Sequence, residues 1–192
     1  MRYALLALPF ALLPLHAAQA ANHEHSHAHA HEEHASLDAH EHGVASLNVA
    51  LDGQTLEIQL QSPAMNLVGF EHEAKSDADK AKVAAARQHL EQPQALFALP
   101  IEAKCALQDS ELDSPLFGGH AHDEHEHADE HGHSDVDASY RFACANAEAL
   151  QTLELGSFFG TFPGTEKLEV QLIGPSGQQG AELTPSNSRL SF

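Results

Sequence analysis

The stretch VASLNVALDGQTLEIQLQ, residues 44–61, constrains the fold more than any other part of the chain. Apolar and polar residues alternate on both sides of Asp52-Gly53. Alternation with a period of two puts Leu47, Val49 and Leu51 on one face of a strand, and Leu56, Ile58 and Leu60 on the matching face of the next. Asp-Gly supplies the positive φ angles of a tight turn. The pattern predicts a β-hairpin with one buried face.

The rest of the chain reads as further strands around one helix. SPAMNLVGFEHE (62–73) predicts a loop or short irregular helix. SDADKAKVAAARQHLEQ (76–92) predicts a helix, capped by Ser76 or Asp77 and stopped by Pro93. Its apolar face is narrow and mostly Ala, which suits a helix lying on a sheet. QALFALP (94–100) closes that segment. IEAKCALQ (101–108) predicts a strand carrying Cys105, and DSELDSPLFGG (109–119) leads away from it. VDASYRFACA (136–145) predicts the returning strand, with Val136, Tyr140, Phe142 and Cys144 on alternate positions. ALQTLELG, EKLEVQLIG and RLSF read as later strands. Ile58, Leu60, Ser62, Gly69 and Glu71 match Leu153, Leu155, Ser157, Gly164 and Glu166 at a constant offset, a faint two-fold internal repeat. The expected class is α+β, mainly antiparallel sheet with one or two helices.

Residues 1–20 stand outside that domain. Arg2 precedes the apolar run YALLALPFALLPL, and AQA follows at Ala18–Ala20. A charged start, an apolar stretch and a small-x-small site describe a secretory signal peptide cut after Ala20. A membrane anchor is the other reading, but the run contains Pro9 and Pro14 and falls short of the ~20 residues a span needs. Export makes a disulfide between Cys105 and Cys144 the natural reading of an even pair. The alternative is two thiolate metal ligands.

The formal charge of −19 argues against nucleic acid and anionic membranes and favours cationic partners. Of the 17 His, all but His16, His72 and His89 lie in two short stretches. The first is ANHEHSHAHAHEEHASLDAHEH, and the second, GGHAHDEHEHADEHGH, fills residues 118–133. Neither holds the apolar residues that would offset the entropy of ordering, so residues 21–41 read as a disordered tail and 118–135 as a disordered loop inserted in a domain spanning 42–192. Imidazole is neutral at pH 7 and offers a nitrogen lone pair to a divalent ion. His120, His122, His125, His127, His131 and His133 are close enough in sequence for two or three to close on one ion. A solvated acidic loop without function is the plainer reading of such a run; two separate His-rich stretches on one exported chain argue for metal. Zn²⁺ accepts nitrogen and oxygen ligands, and Cu²⁺ and Ni²⁺ also suit imidazole. A tighter site calls for residues on the folded body: His72 between Glu71 and Glu73, then His42, with His40 near enough to assist. His89, on the helix, reads as a plain surface residue. No GxSxG, HExxH or phosphate-binding loop is present, and Glu71 beside a zinc-bound water is the one hydrolase arrangement to weigh.

The block HEHGVASLNVALDGQTLEIQLQSPAMNLVGFEH (40–72), the His-rich run before residue 134 and the late LTPSNSRL together resemble the ZrgA family of zinc-regulated periplasmic proteins. SPAMNLVGFEH is the specific part. The resemblance covers most of the chain beyond the leader. It implies a protein of Gram-negative bacteria that binds zinc in the periplasm. It also implies help to a zinc ABC importer, in the neighbourhood of that importer's substrate-binding protein. The family's His-rich region corresponds here to His120–His133, and the N-terminal His tail is an extra. No ligand set is carried over. The expectation is a non-catalytic zinc-binding protein; a copper or nickel buffer and a zinc hydrolase are the alternatives.

Overall fold

A computed structural model of the chain describes residues 41–118 and 134–192, all within one compact unit spanning 37–192. The leader, the tail to His40 and the run His120–His133 lie outside the described residues.

The hairpin forms as its pattern requires. β1 (Val44–Asp52) pairs antiparallel with β2 (Thr55–Pro63), setting Leu47 opposite Leu60 and Val49 opposite Ile58. Gly53 takes φ +57°, the turn conformation that Asp-Gly permits. β3 (Cys105–Asp113) and β4 (Asp135–Cys144) extend the sheet beyond β2, and β6 (Lys167–Gly174) and β7 (Gly177–Leu183) extend it beyond β1. The order is β3-β4-β2-β1-β6-β7. One junction departs from the antiparallel expectation: β6 runs parallel to β1, with Leu172 beside Val49. A second sheet is a short pair, β5 (Thr152–Glu154) with β8 (Arg189–Ser191), joined at Leu153 and Leu190.

One face of the large sheet carries Leu47, Val49, Ile58, Leu60, Tyr140, Phe142 and Leu168, all buried. Helices cover that face. α1 (Ala64–Val68) follows β2 directly; α2 (Asp77–Leu90) presents Val83, Ala86 and Leu90 to the core at helical spacing; α3 (Pro93–Leu96) and α4 (Gly156–Thr161) are short. Ser76 caps α2, its Oγ accepting from the Asp79 amide at 3.0 Å. Phe97 stacks on Phe158 and meets Tyr140 edge-on, tying α3 and α4 to β4. The other face, with Asn48, Gln59, Ser139 and Gln171, is exposed.

Three sequence readings shift. Residues 101–103 form a 3₁₀ turn, and β3 begins at Cys105 and continues through Asp113, where the pattern pointed to a loop. β3 is an edge strand with only Leu107 and Leu112 half-buried among its apolar side chains beyond the cysteine, so no alternation marks it. β7 is the opposite edge, its sequence GQQGAEL burying only Leu183, and no pattern announces it. The internal repeat is local: β2 and β5 each run into a short helix, but they belong to different sheets. Cys105 faces Cys144 across β3 and β4, and the two form a disulfide, which excludes both from metal ligation. Among the described residues no helix is long and apolar enough to cross a membrane.

Candidate metal centre

The start of β1 is where predicted ligands meet. Gly43 takes φ +86°, a conformation that glycine adopts without strain. Its carbonyl accepts from the amides of Glu166 and Lys167, at 2.7 and 2.9 Å, which fastens it to β6. Its own amide donates to Asn66 Oδ1 at 2.7 Å. His42, one residue upstream, projects from this anchored glycine. From the other side, α1 ends at Gly69 in the left-handed conformation, Phe70 is buried, and Glu71 follows.

His42 Nε2 lies 3.0 Å from Glu71 Oε1. The carboxylate side chain is 15% exposed and the imidazole 51%. A carboxylate only accepts, so Nε2 carries the hydrogen, and the neutral ring then keeps its lone pair on Nδ1. A carboxylate that fixes a histidine's tautomer and raises its basicity is the usual outer partner of a zinc-bound imidazole. Glu71 therefore fits the role of orienting His42, and its oxygens are also acceptable zinc ligands.

His72, ranked first from sequence, points elsewhere. Its ring stacks on Phe70 with centroids 4.7 Å apart, and Nδ1 lies 3.0 Å from the Glu73 carbonyl. It also faces the start of α2: Asp79 is held below the ordinary carboxylate range first by its hydrogen bond from Ser76, with His72 contributing. His42 and Glu71 are thus brought together, and His72 shares neither partner. His89 contacts Phe162 edge-on. His40, His120, His122, His125, His127, His131 and His133 lie outside the described residues. Among the described residues no three His, Cys, Asp or Glu side chains gather to enclose an ion. Among the described residues the corner is a half-site in which His42 offers a nitrogen and Glu71 a carboxylate.

Two features of the corner escaped the sequence reading. Ser134, the residue after the His-rich run, donates through Oγ to the Glu71 carbonyl at 3.0 Å, and its own carbonyl accepts from the Ala64 amide at 2.8 Å. His42, at the end of the first His-rich stretch, and Ser134, just after the second, are therefore bound to the same residue: His42 to the side chain of Glu71, Ser134 to its backbone. The second feature is Glu166, whose side chain packs against Gly43, so the repeat partners Glu71 and Glu166 flank the same dipeptide. The field there is acidic. Lys167 is held above its ordinary range first by its hydrogen bond to Glu169, then by Glu182 and Glu41.

The family described as ZrgA family zinc uptake protein matches residues 39–192. Comparison with curated proteins finds no match.

Proposed function

The chain belongs to the ZrgA family of zinc uptake proteins, and from that premise we propose that it is a non-catalytic zinc carrier of the periplasm. In this reading the leader directs export, and the two His-rich stretches collect zinc through many interchangeable imidazoles. The His42–Glu71 pair is the preorganised donor on the folded body. The recipient is the substrate-binding protein of a zinc ABC importer. One observation carries the reading: His42 and Ser134, each adjoining a His-rich stretch, are both bonded to Glu71. Donors tethered at one corner act at high effective concentration toward an ion held there. Transfer is favoured because exposed imidazoles exchange readily, whereas a closed four-ligand cage does not.

The test is a calorimetric zinc titration at neutral pH on the mature chain, on chains lacking 21–41 or 119–133, and on His42→Ala. Each deletion should lower the number of zinc ions bound, and His42→Ala should weaken the tightest class. Affinity should fall below about pH 6, where imidazoles protonate. A mature chain that binds no zinc at micromolar concentration would overturn the proposal. Expression decides the metal, because imidazole sites favour Cu²⁺ by intrinsic affinity whatever their cargo: induction by excess copper or nickel rather than by zinc shortage would replace the zinc reading with a copper or nickel buffer.

A further inference from the structure

We infer that Asn66 is the positioning residue of the metal corner: its buried amide sets His42 at the distance and angle from Glu71 that make it a zinc ligand. The inference rests on the zinc reading of His42.

Asn66 sits in the helix AMNLV, otherwise built of apolar side chains, and is 3% exposed. Sequence periodicity alone would place an apolar residue there. Its amide is fully used. Oδ1 accepts from Gly43 N–H at 2.7 Å, and Nδ2 donates to the Val44 carbonyl at 2.8 Å and to Ser62 Oγ at 3.3 Å. To serve a backbone N–H and the next residue's C=O together, a side chain needs one acceptor and one donor on a single planar group. Aspartate lacks the donor; leucine lacks both.

Three segments converge on this residue. The β1 start hangs on its side chain, and α1 carries it toward Glu71. From the third side, Gly164 packs so closely that a Cβ there would lie 2.6 Å from the Asn66 carbonyl oxygen. On the far side of Gly43, a Cβ would meet the Glu166 side chain at 3.4 Å. Gly43 is therefore held from both sides, and His42 is one peptide bond away. Glu71 follows Asn66 by five residues, two past Gly69, which caps the short helix. The 3.0 Å contact between His42 and Glu71 joins two arms that both start at Asn66.

The experiment compares the mature full-length protein with Asn66→Ala, Asn66→Asp, His42→Ala and the double variant N66A/H42A. Tyr140→Phe serves as a control for general destabilisation, because Tyr140 bonds Leu90 and not the corner. The readout is the zinc affinity of the tightest class by competition with a chromophoric chelator, at a temperature where circular dichroism shows each variant folded. Loss of a group that orients a ligand weakens metal binding about 10- to 100-fold. Asn66→Ala should weaken binding by about 10-fold, Tyr140→Phe should not, and the double variant should be no weaker than His42→Ala alone. If Asn66→Ala does not fold, Asn66→Asp keeps the acceptor for Gly43 and loses the donor to Val44, and it should fall between wild type and His42→Ala. Wild-type affinity in a folded Asn66 variant, or losses that multiply in the double variant, overturns the inference while the zinc reading survives. Wild-type affinity in His42→Ala overturns both.

Discussion

Replacing both cysteines, C105S/C144S, separates what holds the fold from what holds the proposed metal corner. The disulfide closes a loop with a sequence separation of 39 and contains the whole His-rich run. Chain-entropy arguments assign such a loop about 4 kcal/mol through the unfolded state. Beyond its backbone ladder with β4, little on β3 compensates. It is an edge strand, and beyond Cys105 its apolar side chains Leu107 and Leu112 are only half-buried. At 2–4 °C per kcal/mol for a chain of this size, the melting temperature should fall by about 8–16 °C. Zinc binding at the corner should not change. The corner is tied to Ser134, while Cys144 ends the 10-residue strand that begins at Asp135, so the two lie about 30 Å apart at ~3.3 Å per residue. Calorimetric melting gives the first quantity, and chelator competition well below the transition gives the second. An unchanged melting temperature would refute the loop argument. Weakened zinc binding in a folded variant would refute the independence of the two ends.

Ser76→Ala removes the α2 cap and should cost about 1 kcal/mol in chemical denaturation, with β-sheet content retained. Tyr140, the one tyrosine among the described residues, has its hydroxyl buried and donating to the Leu90 carbonyl at 2.9 Å, and burial pushes its pKa far above 10. The neutral phenol is favoured in the native state, so this stability is present below pH 10 and is lost as pH rises beyond the unfolded value; phenolate absorbance with a midpoint near 10 in folded protein would contradict the placement. Asp137 is held above the ordinary carboxylate range by partial burial first, then by Asp135 beside it and Asp113 opposite on β3, while its β2 partner Gln61 is neutral. The native state therefore binds the extra proton, and stability falls as pH rises past the unfolded value of 3.8. Asp137→Asn should raise stability at pH 7 by about 0.5 kcal/mol, the size of exposed charge interactions, and the gain should vanish near pH 3; an equal gain at both would refute the cause.

What the sequence disclosed follows burial. β1, β2, β4 and β6 lie inside the sheet, each has one face against the helices, and each shows strict alternation. The two edges have no such demand. The acidic tract of β3 and the Gly-Gln tract of β7 carry no strand signal because nothing selects apolar residues on either face. Parallel pairing of β6 with β1 was invisible for another reason: register and direction are properties of two segments, and alternation is a property of one. The cysteines were readable because their chemistry is pairwise from the start.

The proposed metal corner divides along the same line. His42, His72 and Glu71 stood out as residue types, but their grouping depended on where α1 turns the chain. Phe70 must be buried, so its neighbours Glu71 and His72 leave the core edge in different directions, and only Glu71 meets His42. The one local hint was a polar residue within the apolar helix AMNLV. A buried amide without partners is costly, so Asn66 among Ala, Met, Leu and Val implies a backbone that it must satisfy. That backbone is the Gly43–Val44 link beside His42. Two stretches too polar to build a core thus adjoin one corner whose geometry is set from inside the core. In the proposed reading, collection rests on donor number alone; placement of one imidazole against one carboxylate requires the fold.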